Sequence, residues 1–385
     1  MGYVGLSLGL LLSKRNKVIF IDIDESKIKD VIDNKEKDFF DIGKNKFDQE
    51  ELINFDNIEA FEDTSVFPLE EIDFCIIALP TNFNETTNSF DVELIKNTIS
   101  DILSKNDKCL IVIKSTIPVG FIDSCREEFN TDRIVFSPEF LREGSEIYDN
   151  LYPSRLIIGG EDTKSKVFLD LLDEVSINKP PKLFMGAKEA ESVKLFSNSY
   201  LAMRVAFFNE LDNFAVDRGL DTKSIIKGVS EDPRIGDHYN NPSFGFGGYC
   251  LPKDLKQLVN TYHDTPNELL ASVLHSNEKR KSFICSKIKS QKVEAIGIYR
   301  LIMKKDSDNF RESAIIDIIN ELVDSEKKVL IYEPLLEDDH YLNCKVIKDF
   351  DRFINLSELI IVNRHDKRIA NTSKKIFTSD IFNED

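Results

Sequence analysis

Short strand-like runs alternate with amphipathic stretches through the first 180 residues, and this alternation restricts what the chain can fold into more than any other feature. Val18 to Asp22, Phe74 to Leu79, Cys109 to Ile113, Arg133 to Phe136 and Arg155 to Gly159 are short β-branched or apolar runs, and Asp91 to Leu103 is one of the amphipathic stretches between them. Strands separated by helices that cross back over a sheet predict a doubly wound parallel sheet. From Ala187 to Arg218 apolar residues recur at helical spacing with no Gly or Pro, which reads as one long helix joining two domains. A second alternating set follows: Val293 to Tyr299, helix-like Ser313 to Ser325, Lys328 to Tyr332, helix-like Asp349 to Asn355, and Leu359 to Asn363. The fold class expected is therefore α/β, with two doubly wound parallel-sheet domains joined by a long central helix.

Composition narrows the function. The 385 residues are 41% hydrophobic, enough for a sizeable core in two or three domains. A formal net charge of −18 argues against nucleic acid as a partner, because phosphate backbones reward clustered Lys and Arg. The six cysteines show no paired short spacing and lie mostly in apolar runs, so no disulfide framework and no metal site are expected, and a reducing cytoplasm fits. No apolar run approaches the roughly 18 residues of a membrane span, and Leu6 to Leu12 is not followed by a signal-peptide cleavage pattern.

One segment concentrates chemistry. Gly245 to Asp254 reads Gly-Phe-Gly-Gly-Tyr-Cys-Leu-Pro-Lys-Asp, a glycine-rich approach followed by a thiol, an amine and a carboxylate within five residues. Glycine admits positive φ and leaves room for a ligand beside the backbone. Lys253 and a helix start would draw Cys250 toward its thiolate, which makes Cys250 the candidate nucleophile.

This segment resembles the catalytic loop of the nucleotide-sugar 6-dehydrogenases, the UDP-glucose/GDP-mannose dehydrogenase family. The resemblance continues, in the family's order, through Gly2-Tyr3-Val4-Gly5, Ile113-Lys114-Ser115-Thr116-Ile117-Pro118-Val119-Gly120, Ser137-Pro138-Glu139-Phe140-Leu141-Arg142-Glu143-Gly144, Ile298-Tyr299-Arg300-Leu301 and Asn363-Arg364. It implies an NAD-binding Rossmann-like domain over 1–186, a central helical dimerisation region with the cysteine loop over 187–285, and a UDP-sugar-binding α/β domain over 286–385. The Gly-x-Gly-x-x-Gly fingerprint is partial here: its first glycine and preceding strand are missing, Gly2 and Gly5 supply the other two, and Asp22 stands 20 residues after Gly2 where the ribose-binding acid belongs. Loss of that strand would take the centre out of the sheet. Either the start codon lies about ten residues upstream or the gene product is truncated; the first is the expectation, since no other motif looks eroded.

By the same resemblance, Gly2, Tyr3, Val4, Gly5, Asp22, Lys27, Thr81, Ser115, Thr116, Glu143 and Lys253 contact NAD. The reaction implied is a four-electron oxidation of a primary alcohol to a carboxylate, with UDP-glucose as substrate and two NAD+ consumed. Thr116, Lys194 and Asp254 would hold the base or water that takes the C6 hydroxyl proton, and Cys250 would trap the aldehyde. Lys194 and Asn198, four apart on one helix, would stabilise the oxyanion, and Glu139 with Glu143 would position the hydrolytic water. Phe140, Leu141 and Arg142 would offer backbone contacts to the substrate, with Glu139, Lys194 and Asn198 beside them. Arg234, Tyr239, Asn240, Ser243 and Gly247 would wrap the nucleotide sugar, and Arg300, Lys304 and Arg364 would meet the UDP at the carboxyl edge of the second sheet. A homodimer through the long helix and a role in polysaccharide synthesis are further expectations of the resemblance. The alternatives are another nucleotide-sugar 6-dehydrogenase acting on a UDP-N-acetylhexosamine or GDP-mannose, a 3-hydroxyacid dehydrogenase, which would have no use for Cys250, and a truncated, inactive UDP-sugar-binding protein.

Overall fold

The computed structural model describes residues 1–33, 49–62, 69–248, 250–263, 265–301, 313–325, 327–364, 366–370 and 372–383. Two compact units divide the chain, Met1–Leu195 and Phe196–Asp385. The helix Ala187–Arg218 runs unbroken through the division, with the bounds that its uninterrupted apolar spacing predicts.

In the first unit, Phe74–Ile77, Leu110–Ile113 and Ile134–Phe136 form a parallel three-stranded sheet. Side chains alternate across a strand, so a run apolar at every position must be buried on both faces. Ile111, Ile113, Ile134 and Phe136 pack on one face against Ile95, Ile99 and Ile122 from the helices Glu93–Lys105 and Phe121–Glu128. Leu110, Val112 and Val135 pack on the other against Leu8 and Leu12 of Tyr3–Leu12 and Phe168 and Leu172 of Thr163–Val175. Leu156–Gly159 pairs separately with Lys182–Met185.

Val18–Ile21 pairs with Ile58–Phe61 and belongs to a different sheet from Phe74–Ile77, and each has a strand partner on one side only among the described residues.

In the second unit, a six-stranded sheet runs in the order His340–Tyr341, Cys344–Val346, Lys328–Tyr332, Ala295–Tyr299, Leu359–Val362, Lys375–Phe377, parallel except for its first pair. Ile296, Ile298, Ile331 and Ile361 face Ile315, Ile319 and Ile284, while Tyr299, Leu330, Tyr332 and Ile360 face Phe353. Both faces are covered, again the doubly wound arrangement. The predicted strand ends at Asp22, Leu79 and Asn363 fall just outside the ladders, at the carboxyl edges where polar side chains become available.

Candidate active site

Two clusters of charged side chains, one in each unit, occupy places where charge is costly unless paired. In the first unit, adjacent parallel strands end in the segments that supply the polar groups: Lys114 follows Leu110–Ile113, and Ser137 and Glu139 follow Ile134–Phe136. Lys194 arrives from the long helix. Its Nζ donates to Glu139 Oε1 and to the Glu139 carbonyl, each at 2.7 Å, and the Leu141 amide donates to Glu139 Oε2 at 2.7 Å. Burial alone would raise the Glu139 carboxyl, but the charge and hydrogen bond of Lys194 hold it below the usual range. The buried Lys114 Nζ donates to Ser137 Oγ at 3.2 Å, and Ser137 passes a hydrogen bond on to the Ile157 carbonyl. Burial brings the Lys114 ammonium down to about 8, against the opposing pull of Glu139. A cavity of about 290 Å³ opens beside this cluster, lined by Lys114, Glu139, Phe140, Tyr148 and Arg155 among others. The Arg155 guanidinium lies 3.7 Å over the Phe140 ring.

Also in the first unit, Gly2 is the N-cap of Tyr3–Leu12 and has no side chain with which to cap that helix start. A Cβ added at Gly2 would meet nothing within 4 Å. Tyr3 is exposed, Val4 is half-buried, and a Cβ on Gly5 would touch Ala78 at 3.4 Å. Asp22 stands at the end of Val18–Ile21, its carboxylate accepting the Asp24 amide at 3.0 Å and meeting the Met1 amine, with Lys27 Nζ at 3.8 Å. A helix start with glycine at its N-cap, open space beside that glycine and an acid at the end of the next strand suit a dinucleotide pyrophosphate and its ribose. Thr81 is buried past the end of Phe74–Ile77, and Ser115 donates to the Leu79 carbonyl at 2.7 Å. Thr116 follows it, half-buried.

In the second unit, Cys250 is the exposed first residue of the helix Cys250–Thr261. Gly248 before it has φ +74°, with open space where a Cβ would be. One turn into the helix, Lys253 Nζ donates to Asp254 Oδ1 at 3.0 Å and Asn198 Nδ2 to Asp254 Oδ2 at 2.5 Å. Asp254 is fully buried and Lys253 nearly so. The thiol therefore sits at a helix start, where the dipole favours its anion, while the lysine expected to assist it is committed to a carboxylate.

The remaining expected contacts are spread more widely. Arg142 is held by Asp149 in a fork at 2.6 and 3.2 Å and its amide also donates to Asp149, so the Leu141 and Arg142 amides expected to contact the substrate each donate to a carboxylate of the chain. Glu143 is half-buried in the same loop. Arg234 is exposed and pairs with Asp232. Tyr239 has φ +53° and is half exposed. Asn240 donates to Ser230, the Ser243 amide donates to Asn209 Oδ1, and Gly247 precedes the left-handed Gly248. Arg300 (φ +64°) pairs with the buried Glu333 at the carboxyl edge of Ala295–Tyr299, and Arg364, past the neighbouring strand, donates to the Pro242 carbonyl at 3.3 Å. Lys304 lies outside the described residues.

Two holders of the cysteine approach were not anticipated. Asn277 brackets the Phe246 backbone, accepting its amide at 2.8 Å and donating to its carbonyl at 2.9 Å, and the buried Arg280 donates to the Ser243 carbonyl and to Asp212. Polar residues on the buried stripe of an amphipathic helix were the available signal. Glu191 carried the same signal, and Lys114 a related one, a polar residue closing a strand that is apolar at every position.

Two doubly wound units, an open helix start with its strand-end acid, and a thiol beside a buried amine–carboxylate pair define an NAD-dependent oxidoreductase. The UDP-glucose/GDP-mannose dehydrogenase family matches in three parts: its NAD binding domain over residues 1–175, its central domain over 188–279 and its UDP binding domain over 297–382. The chain is 46% identical over 392 aligned residues, 100% of its own length and 98% of the relative's, to a UDP-glucose 6-dehydrogenase of Campylobacter jejuni. It is 43% identical to one of Streptococcus pneumoniae, over 99% of this chain and 97% of that one. A UDP-glucose dehydrogenase structure from Pyrobaculum islandicum shares the fold with TM-score 0.81 at 22% identity, covering 98% of this chain and 91% of that one. The chain belongs to the UDP-glucose/GDP-mannose dehydrogenase family.

Proposed function

We propose that the chain is an NAD-dependent UDP-glucose 6-dehydrogenase, converting UDP-glucose, two NAD+ and water to UDP-glucuronate, two NADH and three protons. The observation that carries the reading is Cys250: an exposed thiol at a helix start, reached through a left-handed glycine with open space beside it, one turn from a buried carboxylate. The full-length similarity to relatives named for this activity supports the choice of sugar nucleotide over UDP-N-acetylhexosamine or GDP-mannose.

When bound, NAD+ supplies the hydride acceptor for both oxidations; Gly2 to Gly5, Asp22, Lys27, Thr81, Ser115, Thr116, Glu143 and Lys253 are the residues proposed to hold it. Asp254, held between Lys253 and Asn198, serves as the acceptor for the water that takes the C6 hydroxyl proton. The Cys250 thiolate adds to the aldehyde carbon, forming a C–S bond and a thiohemiacetal, and Asn198 and Lys194 are the residues proposed to stabilise its oxyanion. Loss of the second hydride leaves a thioester, and water cleaves its C–S bond to release the carboxylate and the thiol. Glu139 has a carboxyl pulled below the usual range, which makes it a weak base. Its contribution is to fix Lys194 and orient that water.

Residues 1–186 are proposed to bind NAD, 187–285 to carry the thiol, the dimer contact and Arg234 of the loop that wraps the nucleotide sugar, and 286–385 to bind UDP, with Arg300 and Arg364 among its cations. Phe196, Tyr200, Phe207 and Phe214 form an exposed aromatic stripe along the central helix, which supports a homodimer through that face. Among the described residues no helix is long and apolar enough to cross a membrane; cytoplasmic location and supply of uronate for polysaccharide synthesis complete the proposal.

The test is NADH stoichiometry on the purified chain. Two NADH per UDP-glucose with UDP-glucuronate as product supports the reading. One NADH per substrate, or turnover only with another nucleotide sugar, overturns it.

A further inference from the structure

A carboxylate that the proposed mechanism leaves unused sits at the start of a helix belonging to another part of the first unit. Glu191 has no exposed surface. Its Oε2 accepts the Gly120 amide at 2.5 Å and its Oε1 the Ile122 amide at 2.9 Å, closing the first turn of Phe121–Glu128. That helix has no side-chain cap of its own, because its N-cap is Gly120 in the left-handed region at φ +92°. Long-range carboxylate capping of two amides is a strong, charge-assisted attachment.

What is attached is the segment Ser115 to Gly120. At its other end Ser115 is fixed to the end of Phe74–Ile77, through its amide to the Ile77 carbonyl at 3.3 Å and its hydroxyl to the Leu79 carbonyl at 2.7 Å. Thr116 lies between the two anchors, and Ile117 beside it is buried. Glu191 also precedes Lys194 by three residues on the long helix, so the same turn that grips this segment delivers the ammonium to Glu139.

We propose that Glu191 is a positioning residue that clamps the Ser115 to Gly120 segment to the central helix, thereby setting where Thr116 stands, and that protonation of Glu191 loosens the clamp. The ionised carboxylate accepts both amides, whereas the protonated acid keeps one good acceptor oxygen. Burial pushes this carboxyl up to about 7, more than the two amides lower it, and the charges around it are Asp123 on the capped helix, which raises it further, and Lys188 on its own helix, which lowers it. Those two pair with each other at 3.1 Å, and Cys125, one turn along the capped helix, also feels the Glu191 charge. The clamp is therefore closed above neutrality and opens as pH falls through about 7.

The functional half of this proposal rests on the reading of Ser115 and Thr116 as cofactor-lining; the structural half does not, and the two are tested separately. Amide hydrogen exchange at Gly120 and Ile122 in the full-length protein, corrected for intrinsic rates, is expected to lose about tenfold in protection from pH 8 to pH 6, one unit to either side of the titration. Glu191→Gln is expected to show the lower protection at both pH values. Equal protection at pH 6 and pH 8 in the parent protein overturns the clamp. In steady state, the parent KM for NAD+ is expected to rise severalfold over the same interval, and Glu191→Gln to hold the higher value at both pH values with the UDP-glucose KM unchanged. A variant in which both KM values move together, or whose KM for NAD+ keeps the parent pH profile, overturns the positioning role. A parent protein that exchanges as expected but makes no NADH from UDP-glucose sinks the functional reading and leaves the clamp standing.

Discussion

Glu139 and Lys194, 55 residues apart in sequence, are joined twice: the Lys194 ammonium reaches both the Glu139 carboxylate and its carbonyl at 2.7 Å. The two hydrogen bonds fix the lysine's last torsions. On the proposed chemistry, an ammonium oriented in this way meets developing negative charge without reorganising at the moment of reaction.

Removing either partner strands the other. Lys194→Ala and Glu139→Ala should each destabilise the chain by about 3 kcal/mol, the lower range for breaking a buried pair, since both side chains are largely buried. The double variant should lose less than the sum, and urea midpoints would measure it. Additive losses would show that the pair contributes no coupling. On the proposed chemistry, Glu139→Gln should slow thioester hydrolysis most, so that acyl-enzyme accumulates; an unchanged hydrolysis step would remove Glu139 from the mechanism.

For the thiol, substitution separates the two oxidations. Cys250→Ala should release at most one NADH per UDP-glucose in a single turnover and no UDP-glucuronate, because the aldehyde has no thiol to capture it. Single-turnover absorbance with product analysis is the check. Two NADH per sugar from this variant would exclude covalent capture.

Asp254 faces a different balance. Asp254→Asn keeps the volume and an acceptor for Asn198 but leaves the Lys253 ammonium buried without its counter-charge. Stability should fall on the order of 3 kcal/mol, and adding Lys253→Met should restore part of it. Turnover should drop roughly 100-fold in both, the usual range for loss of a proton-handling group. Full stability in the single variant would show that the Lys253–Asp254 pair contributes nothing to the fold.

Much of this arrangement was legible before folding, for reasons that can be named. The long helix was readable to its ends because no glycine or proline interrupts its apolar spacing between Ala187 and Arg218. The strands were readable because runs such as Leu110–Ile113 are apolar at every position, the mark of a sheet covered on both faces. Cys250 announced itself through its glycines. Lys114, Glu191, Asn277 and Arg280 did not, because a single polar residue in an apolar pattern looks the same whether it tips outward or is buried on a partner dozens of residues away. Gly120 and Glu191 are 71 residues apart, and Asn277 and Phe246 are 31 apart. Such pairings depend on topology, which local pattern does not contain.

Lys114 offers a test of burial with a definite sign. Its ammonium titrates near 8 in the folded chain and near the ordinary lysine value when unfolded. Between those values the unfolded chain binds more protons, so stability should rise with pH from about 8 toward 10.5, and charging Lys114 should cost stability below 8. Lys114→Met, of similar length and without charge, should be more stable than the parent at pH 7 by on the order of 2 kcal/mol and should lack that rise. Urea midpoints at pH 7 and pH 9.5 decide it. A variant less stable than the parent at pH 7 would show that the Ser137 hydrogen bond and the Glu139 charge outweigh the burial of the ammonium.

The aromatic stripe of the central helix carries the last prediction. Phe207 is 58% exposed and Phe214 54%, and with Tyr200 and Phe196 they recur at spacings of seven and four that keep them on one face. One exposed phenylalanine is ordinary; four in line on a 32-residue helix form a patch of the kind that marks an interface. The adjacent Phe208 is buried and meets Phe207 edge-on at 5.3 Å, so the exposed ring is braced from behind and presented rather than loosely packed. A charge at this position should therefore break association without disturbing the fold. Phe207→Glu should turn a dimeric parent into a monomer by light scattering, with little change in melting temperature at matched monomer mass. A monomeric parent would sink the dimer proposal outright, and a dimeric variant would move the interface away from this helix.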